Sequence, residues 1–269
     1  MNEKLKAAVY GFAVGDALGV PYEFKQRDTF KCYGMTGYGT WNQPEGTWSD
    51  DTSMMLATCD SIRENGKIVP EDIMKRFVKW YFDGEYNAHG KPFDIGSTTA
   101  KALSNYRYFN IEPLKCGLDD ERSQGNGSLM RILPLAFVPG VTWTDVENIS
   151  KLTHAHENSI QICKEYVAIC KELINNPKWK IPKRIMRMNR KDVVSSGYVV
   201  TSLEAAVWSF GTSISYSEAV LKAVNLGGDT DTIAALTGGL AGIKYGYNAI
   251  PKAWVKQLAN KELIEKCLF

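Results

Sequence analysis

Apolar residues recur at helical spacing along most of the chain. Within residues 4–18, Leu5, Val9 and Phe12 fall three or four positions apart and would share one face of a helix. Alternation typical of a β-strand is scarce, and the short stretch Val193–Val200 is its best candidate. The same periodicity predicts further helices at Thr52–Asn65, Glu71–Tyr81, Ser97–Tyr106, Thr144–Lys151, Ser159–Ile174, Ser202–Phe210, Ser217–Val224 and Ile233–Tyr245. The pattern therefore predicts an all-α fold.

Two long stretches, at residues 20–48 and 107–128, lack helical periodicity and are rich in glycine, aromatic and polar residues. Long irregular segments inside a compact domain are often binding loops, although flexible surface loops share this composition. The chain shows no internal repeat and no low-complexity tract that would mark a linker. We therefore expect one compact domain over residues 1–269.

The composition is that of an ordinary globular protein, with 44% hydrophobic and 23% charged residues. A net charge of +2 argues against binding to nucleic acid or a membrane surface through overall charge. Six cysteines lie far apart with no C-x-x-C pair, which favours reduced, buried thiols. The N-terminus is a poor signal peptide, and no apolar run approaches the roughly 20 residues of a membrane span. We expect a soluble cytoplasmic protein with no membrane partner.

One segment departs from this balance of charge. Lys178–Lys191 holds seven Lys or Arg residues in fourteen positions and no acidic residue. A solvated basic loop is the usual interpretation of such a run. The alternative is a docking surface for an acidic partner or for nucleic acid.

Two acidic clusters carry the candidate chemistry, and the first is Ser49-Asp50-Asp51-Thr52 at the predicted start of a helix. Free backbone N–H groups and the positive end of the helix dipole favour carboxylates at such a position. A hydroxyl or carboxylate there can also cap the helix. Taken alone, this cluster is better explained as a helix cap than as a set of metal ligands.

The second cluster, Asp229-Thr230-Asp231-Thr232, follows two glycines and precedes an almost wholly apolar run of small residues at 233–243. A helix that is apolar on all sides must be buried, so the aspartates at its start are expected to be buried as well. Buried carboxylates need a strong compensating partner, and a metal ion can serve two of them at once. Carboxylate and hydroxyl oxygens are hard ligands, suited to Mg²⁺ or Mn²⁺. Together the two clusters predict a site for hard divalent cations.

Six motifs follow one another along the chain: Gly11–Glu23, Gly46–Ser53, Phe93–Thr99, Gly125–Arg131, Thr153–His156 and Gly227–Thr232. In this order they resemble the ADP-ribosylglycohydrolase family, and they span nearly the whole chain. The resemblance implies an all-α fold with a binuclear site for two Mg²⁺ or Mn²⁺ ions in a central cleft. It also implies hydrolysis of the glycosidic bond that joins ADP-ribose to an acceptor.

By motif match, the resemblance also implies that both clusters supply the metal ligands. The implied ligands are Ser49, Asp50, Asp51, Asp229, Asp231 and Thr232. Many members of the family have Thr where this chain has Ser49, and both residues supply a hydroxyl. Asp16 is expected to order the first motif through hydrogen bonds instead of binding metal.

Three carboxylates are candidates for proton transfer by the same resemblance: Asp94, Glu23 and Asp51. The motifs do not choose among them. Asp94 matches a general base or ring-opening residue of the arginine-specific branch, and Glu23 matches an acidic residue beside the metals. The alternatives are a helix cap for Asp94 and a surface position for Glu23.

The loop Gly125-Asn126-Gly127-Ser128 resembles the one that wraps the diphosphate and ribose, and its small residues would let backbone N–H groups reach phosphate oxygens. An ordinary turn has the same composition. His154 and His156, if helical, would point roughly 200° apart, so both cannot face one site. Motif order favours His154 as the residue that contacts the distal ribose or phosphate.

The Asp94 motif favours arginine-linked ADP-ribose on a protein as the substrate, with ADP-ribose as the product. Serine-linked and nucleic-acid-linked ADP-ribose stay open as substrates. Rival interpretations are a hydrolase of nucleotide sugars or phosphoesters, a module that binds ADP-ribose without cleaving it, and a catalytically silent relative like the crystallins of this family. All six implied ligand positions retain oxygen side chains, which argues against the silent relative.

Overall fold

A computed structural model describes residues 2–176, 181 and 183–269, and in these residues the chain is folded into α-helices joined by loops. The helices are α1 Glu3–Gly19, α2 Asp50–Asn65, α3 Pro70–Val78, α4 Ser97–Phe109, α5 Trp143–Lys151, α6 Glu157–Asn175, α7 Lys183–Met186, α8 Val199–Gly211, α9 Tyr216–Val224, α10 Thr230–Tyr245, α11 Lys252–Gln257 and α12 Lys261–Cys267. A π-helical turn at Lys79–Asp83 continues α3. Shorter 3₁₀ turns lie at Val20–Tyr22, Gly39–Trp41, Pro113–Lys115, Asn126–Arg131, Leu133–Phe137, Arg190–Asp192 and Tyr247–Ala249. The all-α prediction is confirmed.

Every helix predicted from periodicity is present, with ends that shift by a few residues. Helix α10 begins at Thr230, three residues before the apolar run, so Asp231 lies in its first turn. Helix α4 continues to Phe109, which shortens the second predicted loop. Periodicity does not reveal α11 and α12, because helices of six and seven residues show too few turns of the pattern.

The predicted strand at Val193–Val200 is wrong. Val193 is buried and Val194 is exposed, as in a strand, but Val199 and Val200 form the first turn of α8. A strand also needs a partner, and in the described residues β pairing is limited to three isolated bridges. One of these bridges joins Tyr198 to Gly125, and its hydrogen bonds run from the N–H of Asn126 to the carbonyl oxygen of Gly197 and from the N–H of Val199 to that of Gln124.

Helices α1 and α10 lie side by side at the centre of the core and are buried over nearly their whole length. Their backbones approach closely because glycines replace larger side chains along the contact. A Cβ atom on Gly11 would lie 2.3 Å from the carbonyl oxygen of Gly238. A Cβ atom on Gly19 would lie 2.3 Å from the Cα atom of Asp231. This approach places the end of α1 against the acidic start of α10.

Tyrosine hydroxyls tie two further helices to this central pair. The hydroxyl of Tyr216 in α9 donates to the carbonyl oxygen of Gly11 at 2.7 Å. The hydroxyl of Tyr166 in α6 donates to the carbonyl oxygen of Leu236 at 3.0 Å. Both tyrosines are fully buried, so these bonds fix the outer helices relative to α1 and α10.

The basic run Lys178–Lys191 lies partly outside the described residues. Within its described part, Arg190 pairs with Asp28 at 2.7 Å. All six cysteines are buried and unpaired, in agreement with the prediction of buried, reduced thiols. Among the helices of the described residues, none is long and apolar enough to cross a membrane.

Candidate active site

The first acidic cluster lies at the start of α2, directly against α1. Asp16 of α1 accepts hydrogen bonds from the backbone N–H groups of Ser49 and Thr52, at 3.0 and 3.1 Å. The Thr52 hydroxyl donates to the same carboxylate at 2.6 Å. Ser49 is also the N-cap of α2, since its hydroxyl accepts from the N–H of Asp51. Asp16 therefore orders this cluster through hydrogen bonds, and the helix-cap interpretation holds for Ser49.

The second cluster lies at the start of α10, behind a turn formed by Gly227-Gly228. The two glycines have φ angles of 72° and 70°, a left-handed conformation that favours glycine. Asp229 occupies the N-cap position without capping the helix, and its carboxylate accepts from the side-chain amide of Asn126 at 2.7 Å. The hydroxyl of Thr232 donates to Asp51 at 3.2 Å, which joins the starts of α2 and α10.

Carboxylates from four parts of the chain converge between these two helix starts. Asp16, Asp51 and Asp231 each place one oxygen within 4.8 Å of the others. One oxygen each of Glu23, Asp229 and Asp231 likewise lies within 4.8 Å of the others. Because Asp231 belongs to both groups, the groups adjoin. Five carboxylates in this arrangement could hold two cations side by side.

Two oxygens of these carboxylates are buried and have no hydrogen-bond partner among the described residues. They are Oδ2 of Asp51 and Oδ1 of Asp231. Burial, followed by repulsion from Asp16 and Asp231, raises the pKa of Asp51. Burial, followed by repulsion from Glu23 and Asp229, likewise raises the pKa of Asp231. A divalent cation would supply the missing partner and favour the ionised carboxylates, and these oxygen ligands fit Mg²⁺ or Mn²⁺.

The two groups differ from the six ligands implied by the motifs. Asp16 and Glu23 take part in them. The motifs place Glu23 beside the metals but give Asp16 a hydrogen-bonding role instead. Asp50 and Thr232 line the cleft beside the groups, and burial raises the pKa of Asp50 as well. The Ser49 hydroxyl accepts one hydrogen bond as the cap of α2. Metal binding by Ser49, Asp50 and Thr232 stays a prediction.

An open cleft of about 640 Å³ adjoins the carboxylates. Its volume lies in the range of small-molecule sites, roughly 300–1,000 Å³. Asp51 and Asp231 are buried beside the cleft. The residues assigned from the sequence that line it are Glu23, Asp50, Asp94, Gly125, Asn126, Gly127, His154, Asp229 and Thr232.

Asp94 and Phe24 line the cleft with unusual backbone conformations. Their φ angles are 67° and 61°, in the left-handed region that side chains rarely adopt. Such residues cluster at functional sites, where the surrounding structure holds them in place. Burial, followed by repulsion from Asp231 and Asp50, raises the pKa of Asp94 far above its usual range. These neighbouring charges therefore disfavour the ionised form of Asp94, which lies next to the two carboxylate groups.

The loop predicted to wrap the diphosphate is only partly available to a ligand. The backbone N–H of Asn126 donates to the carbonyl oxygen of Gly197 at 3.0 Å, so it is not free for an anion. Ser128 is fully buried, and its hydroxyl accepts from Ser150 at 3.0 Å instead of facing the cleft. Gly125, Asn126 and Gly127 do line the cleft.

His154 and His156 lie outside any helix interior, so the predicted helical geometry does not apply to them. His154 is buried against the cleft, and its Nδ1 atom lies 2.7 Å from the hydroxyl oxygen of Thr153. Burial, together with the charge of Arg131, lowers the pKa of His154 to about 3, so the ring is neutral. His156 is the N-cap of α6 and accepts from the N–H of Asn158 at 3.1 Å.

The sequence gives little indication of one wall of the cleft. Ser195, Ser196 and Gly197 line it, as does Arg122. The first three residues fall inside the predicted strand, although Ser-Ser-Gly is a composition typical of turns. Their proximity to Asp229 depends on tertiary contacts that periodicity cannot reveal.

Comparisons with known proteins identify the family of the chain. The chain matches the family model described as ADP-ribosylglycohydrolase over residues 1–268. It is 34% identical to the ADP-ribosylarginine hydrolase Tri1 of Serratia proteamaculans (strain 568), across 97% of this chain and 77% of that protein. It is 29% identical to the ADP-ribosyl-[dinitrogen reductase] glycohydrolase of Rhodospirillum rubrum, across 97% and 92% of the two chains. A solved structure described as an ADP-ribosylglycohydrolase-related protein complex has a TM-score of 0.82 at 29% identity, covering 98% of this chain and 95% of that one. The chain belongs to the ADP-ribosylglycohydrolase family.

Proposed function

We propose that this protein is a divalent-cation-dependent hydrolase that releases ADP-ribose from arginine side chains of ADP-ribosylated proteins. The observation that carries the proposal is the pair of adjoining carboxylate groups, with unpartnered oxygens on Asp51 and Asp231, beside a cleft of about 640 Å³. The similarity to an ADP-ribosylarginine hydrolase over 97% of the chain supports arginine as the acceptor.

The two carboxylate groups would hold two Mg²⁺ or Mn²⁺ ions. When bound, such ions supply Lewis acidity to the hydroxyls of the distal ribose and to the attacking water. Asp16 and Asp51 would bind the ion on one side of the site, and Glu23 and Asp229 would bind the ion on the other side. Asp231 belongs to both groups and would bind both ions. The neutral ring of His154 and the residues Gly125–Gly127 would position the diphosphate and ribose along the cleft.

In the proposed reaction, water adds its hydroxyl to C1″ of the distal ribose while the bond from C1″ to the guanidine nitrogen breaks. The transition state resembles an oxocarbenium ion, as in other glycosidic cleavages. Water gives up one proton in this step, and one proton must reach the leaving nitrogen. Asp94 lines the cleft but belongs to neither carboxylate group, so we assign that transfer to Asp94, with Glu23 as the alternative. Asp51, the third candidate from the sequence, is buried within a carboxylate group.

The direct test offers the purified protein arginine-linked, serine-linked and nucleic-acid-linked ADP-ribose, with Mg²⁺ or Mn²⁺, and identifies the products by mass. We expect free ADP-ribose and unmodified arginine from the first substrate. Asp231→Ala should abolish release, because it removes the carboxylate common to both groups. Asp83→Asn is the matched control, since Asp83 is an exposed carboxylate on the π-helical turn.

Several results would contradict the proposal. Full activity in excess chelator, or in Asp231→Ala, would exclude the cation-dependent mechanism. Release of phosphate would indicate a phosphohydrolase, and release from serine or nucleic acid alone would correct the acceptor. Binding of ADP-ribose without turnover of any substrate would indicate a binding module or a catalytically silent member of the family.

A further inference from the structure

Three chain segments form one wall of the cleft, and they are far apart in the sequence. Residues 23–28 contribute Glu23 and Phe24 to the lining, and residues 190–197 contribute Ser195–Gly197. Residues 225–229 contribute Gly228 and Asp229. Glu23 and Asp229 share one carboxylate group, so the relative position of these segments sets the distance between two proposed ligands.

Backbone contacts join these segments in pairs. The N–H of Phe24 donates to the carbonyl oxygen of Gly228 at 2.7 Å, and the N–H of Gly228 donates to that of Lys25 at 2.9 Å. On the other side, the Ser195 hydroxyl donates to the carbonyl oxygen of Gly227. A Cβ atom on Gly228 would lie 2.2 Å from the carbonyl oxygen of Ser195. The segments therefore touch through main-chain atoms, and a shift of one displaces the others.

The side chain of Arg27 bonds to both of the other segments. Its Nε donates to the carbonyl oxygen of Leu226 at 2.8 Å. Its Nη1 donates to that of Arg190 at 2.7 Å, and its Nη2 to that of Val193. The Arg27 guanidinium thus joins residues 190–197 and 225–229 to its own segment, 23–28.

The three acceptors are main-chain carbonyl oxygens, which carry no net charge. The hydrogen bonds therefore depend on the direction of the donor N–H groups more than on the charge of the side chain. A guanidinium is a rigid planar fork whose donors can reach three such oxygens at once. A lysine ammonium is a compact charge on a flexible stem and cannot donate to all three carbonyl oxygens at once. Arg190 adds a second, separate link, because its Nη2 donates to the carbonyl oxygen of Asn225 at 2.7 Å and pairs with Asp28.

We propose that Arg27 is a positioning residue for hydrolysis, which fixes Glu23 and Phe24 relative to Asp229 by holding the three wall segments in register. The inference rests on the proposed function and adds a residue that belongs neither to the proposed ligands nor to the cleft lining. Phe24 needs such support, because its backbone is left-handed at φ 61° and its side chain is 68% exposed. A strained backbone persists where the surrounding structure over-determines it.

The test compares Arg27→Met and Arg27→Lys with the wild-type protein, well below their unfolding temperatures and with saturating Mn²⁺. Titration calorimetry with ADP-ribose counts the folded sites, and steady-state hydrolysis of an arginine-linked substrate gives kcat and KM. We expect kcat per site to fall on the order of 10- to 100-fold in both variants, because small misplacements near reacting groups have effects of that size. KM and the number of ADP-ribose sites should stay near the wild-type values. Arg107→Met is the control, since Arg107 is an exposed arginine on α4 outside the cleft lining, and it should leave all three quantities unchanged.

Four outcomes would overturn the proposal. Wild-type kcat in Arg27→Met excludes a positioning role, and wild-type kcat in Arg27→Lys alone shows that charge suffices. Should Arg27→Met fail to fold, Arg27→Lys decides the question, and failure of both to fold assigns Arg27 to the stability of the fold instead. A wild-type protein that releases no ADP-ribose refutes the proposed function, and this role for Arg27 with it.

Discussion

Asp231 combines two properties that oppose each other in the folded protein. Its carboxylate belongs to both carboxylate groups, and its Oδ1 atom is buried without a partner among the described residues. A buried charge near other charges of the same sign destabilises the fold unless a counter-ion neutralises it. Under the proposed function, a bound cation would offset this cost at Asp231.

Asp231→Asn should separate these two effects. Without divalent cations, we expect the variant to have a free energy of unfolding about 1 kcal/mol higher than the wild-type protein, because the neutral amide ends the repulsion. With Mg²⁺ or Mn²⁺ at about 100 times the dissociation constant, the wild-type protein should gain about 2.7 kcal/mol. The variant should lose both this gain and hydrolysis. Urea unfolding in chelator, and again in Mg²⁺ or Mn²⁺, measures each quantity.

Asp83→Asn is the control for this prediction as well, because it removes an exposed carboxylate of the same size. It should respond to cations as the wild-type protein does. A cation response in Asp231→Asn as large as that of the wild-type protein would contradict the assignment of Asp231 as a shared ligand.

At the scale of elements, the glycines of α1 determine where the acidic residues meet. Gly11, Gly15 and Gly19 face α10, and a Cβ atom on any of them would lie within 2.3 Å of an α10 backbone atom. The contact brings Asp16, on the same helix, close to Asp231 at the start of α10. The small residues that make these helices pack closely are therefore also what brings the carboxylates together.

Gly19→Ala should disturb both the packing and the site. The added methyl would press on the Cα atom of Asp231, and overpacking of this kind costs about 1–3 kcal/mol. We also expect weaker cation binding, since Asp231 would be displaced from both groups. Thermal unfolding, with and without Mn²⁺, checks the two effects in one experiment.

Gly66→Ala, at the end of α2, provides the comparison. Nothing lies within 4 Å of a Cβ atom at Gly66, but its φ of 65° is strained for alanine. The expected cost is about 1–2 kcal/mol, with an unchanged response to cations. If Gly19→Ala also responded to Mn²⁺ like the wild-type protein, the close contact of α1 with α10 would not control the geometry of the site.

These elements also show how far the sequence can predict the molecule. Periodicity identifies each long helix, because a buried helical face repeats over several turns. The two helix starts were recognised as acidic clusters, since their residues are neighbours in the chain. The sequence does not place Asp16 in a carboxylate group, because its position there depends on how α1 packs against α10, whereas the motifs do place Glu23 beside the metals. Periodicity also misses the Ser195–Gly197 wall, because this segment meets the cleft through contacts with Arg27 and Gly228, which are distant in the chain.

At the scale of the whole molecule, α2 links two buried acidic centres with opposite surroundings. At its start, Asp51 faces other carboxylates. Further along, Asp60 accepts hydrogen bonds from Tyr86 at 2.7 Å and from Arg63 at 2.8 Å, and it pairs with Arg76. Burial alone would raise the pKa of Asp60, but hydrogen bonds from Tyr86 and Arg63 and the charge of Arg76 lower it below its usual range. One centre is neutralised within the protein and the other is not.

Asp60→Asn should therefore lower stability while leaving hydrolysis intact, the reverse of Asp231→Asn. Loss of one partner in a buried ion pair costs about 3 kcal/mol, so we expect a loss of that size in urea unfolding at pH 7. Because the pKa of Asp60 is depressed in the folded state, its stabilisation is present above the unfolded value near 3.9 and is lost as the pH falls through the folded value. The difference in free energy of unfolding between the variant and the wild-type protein should accordingly shrink towards pH 3.

Asp60 lies roughly 14 Å along α2 from Asp50 and Asp51, so kcat should not change at temperatures where both proteins are folded. A variant as stable as the wild-type protein at pH 7 would show that the ion pairs of Asp60 do not stabilise the fold. A variant that is folded but inactive would show that the two centres are not separate.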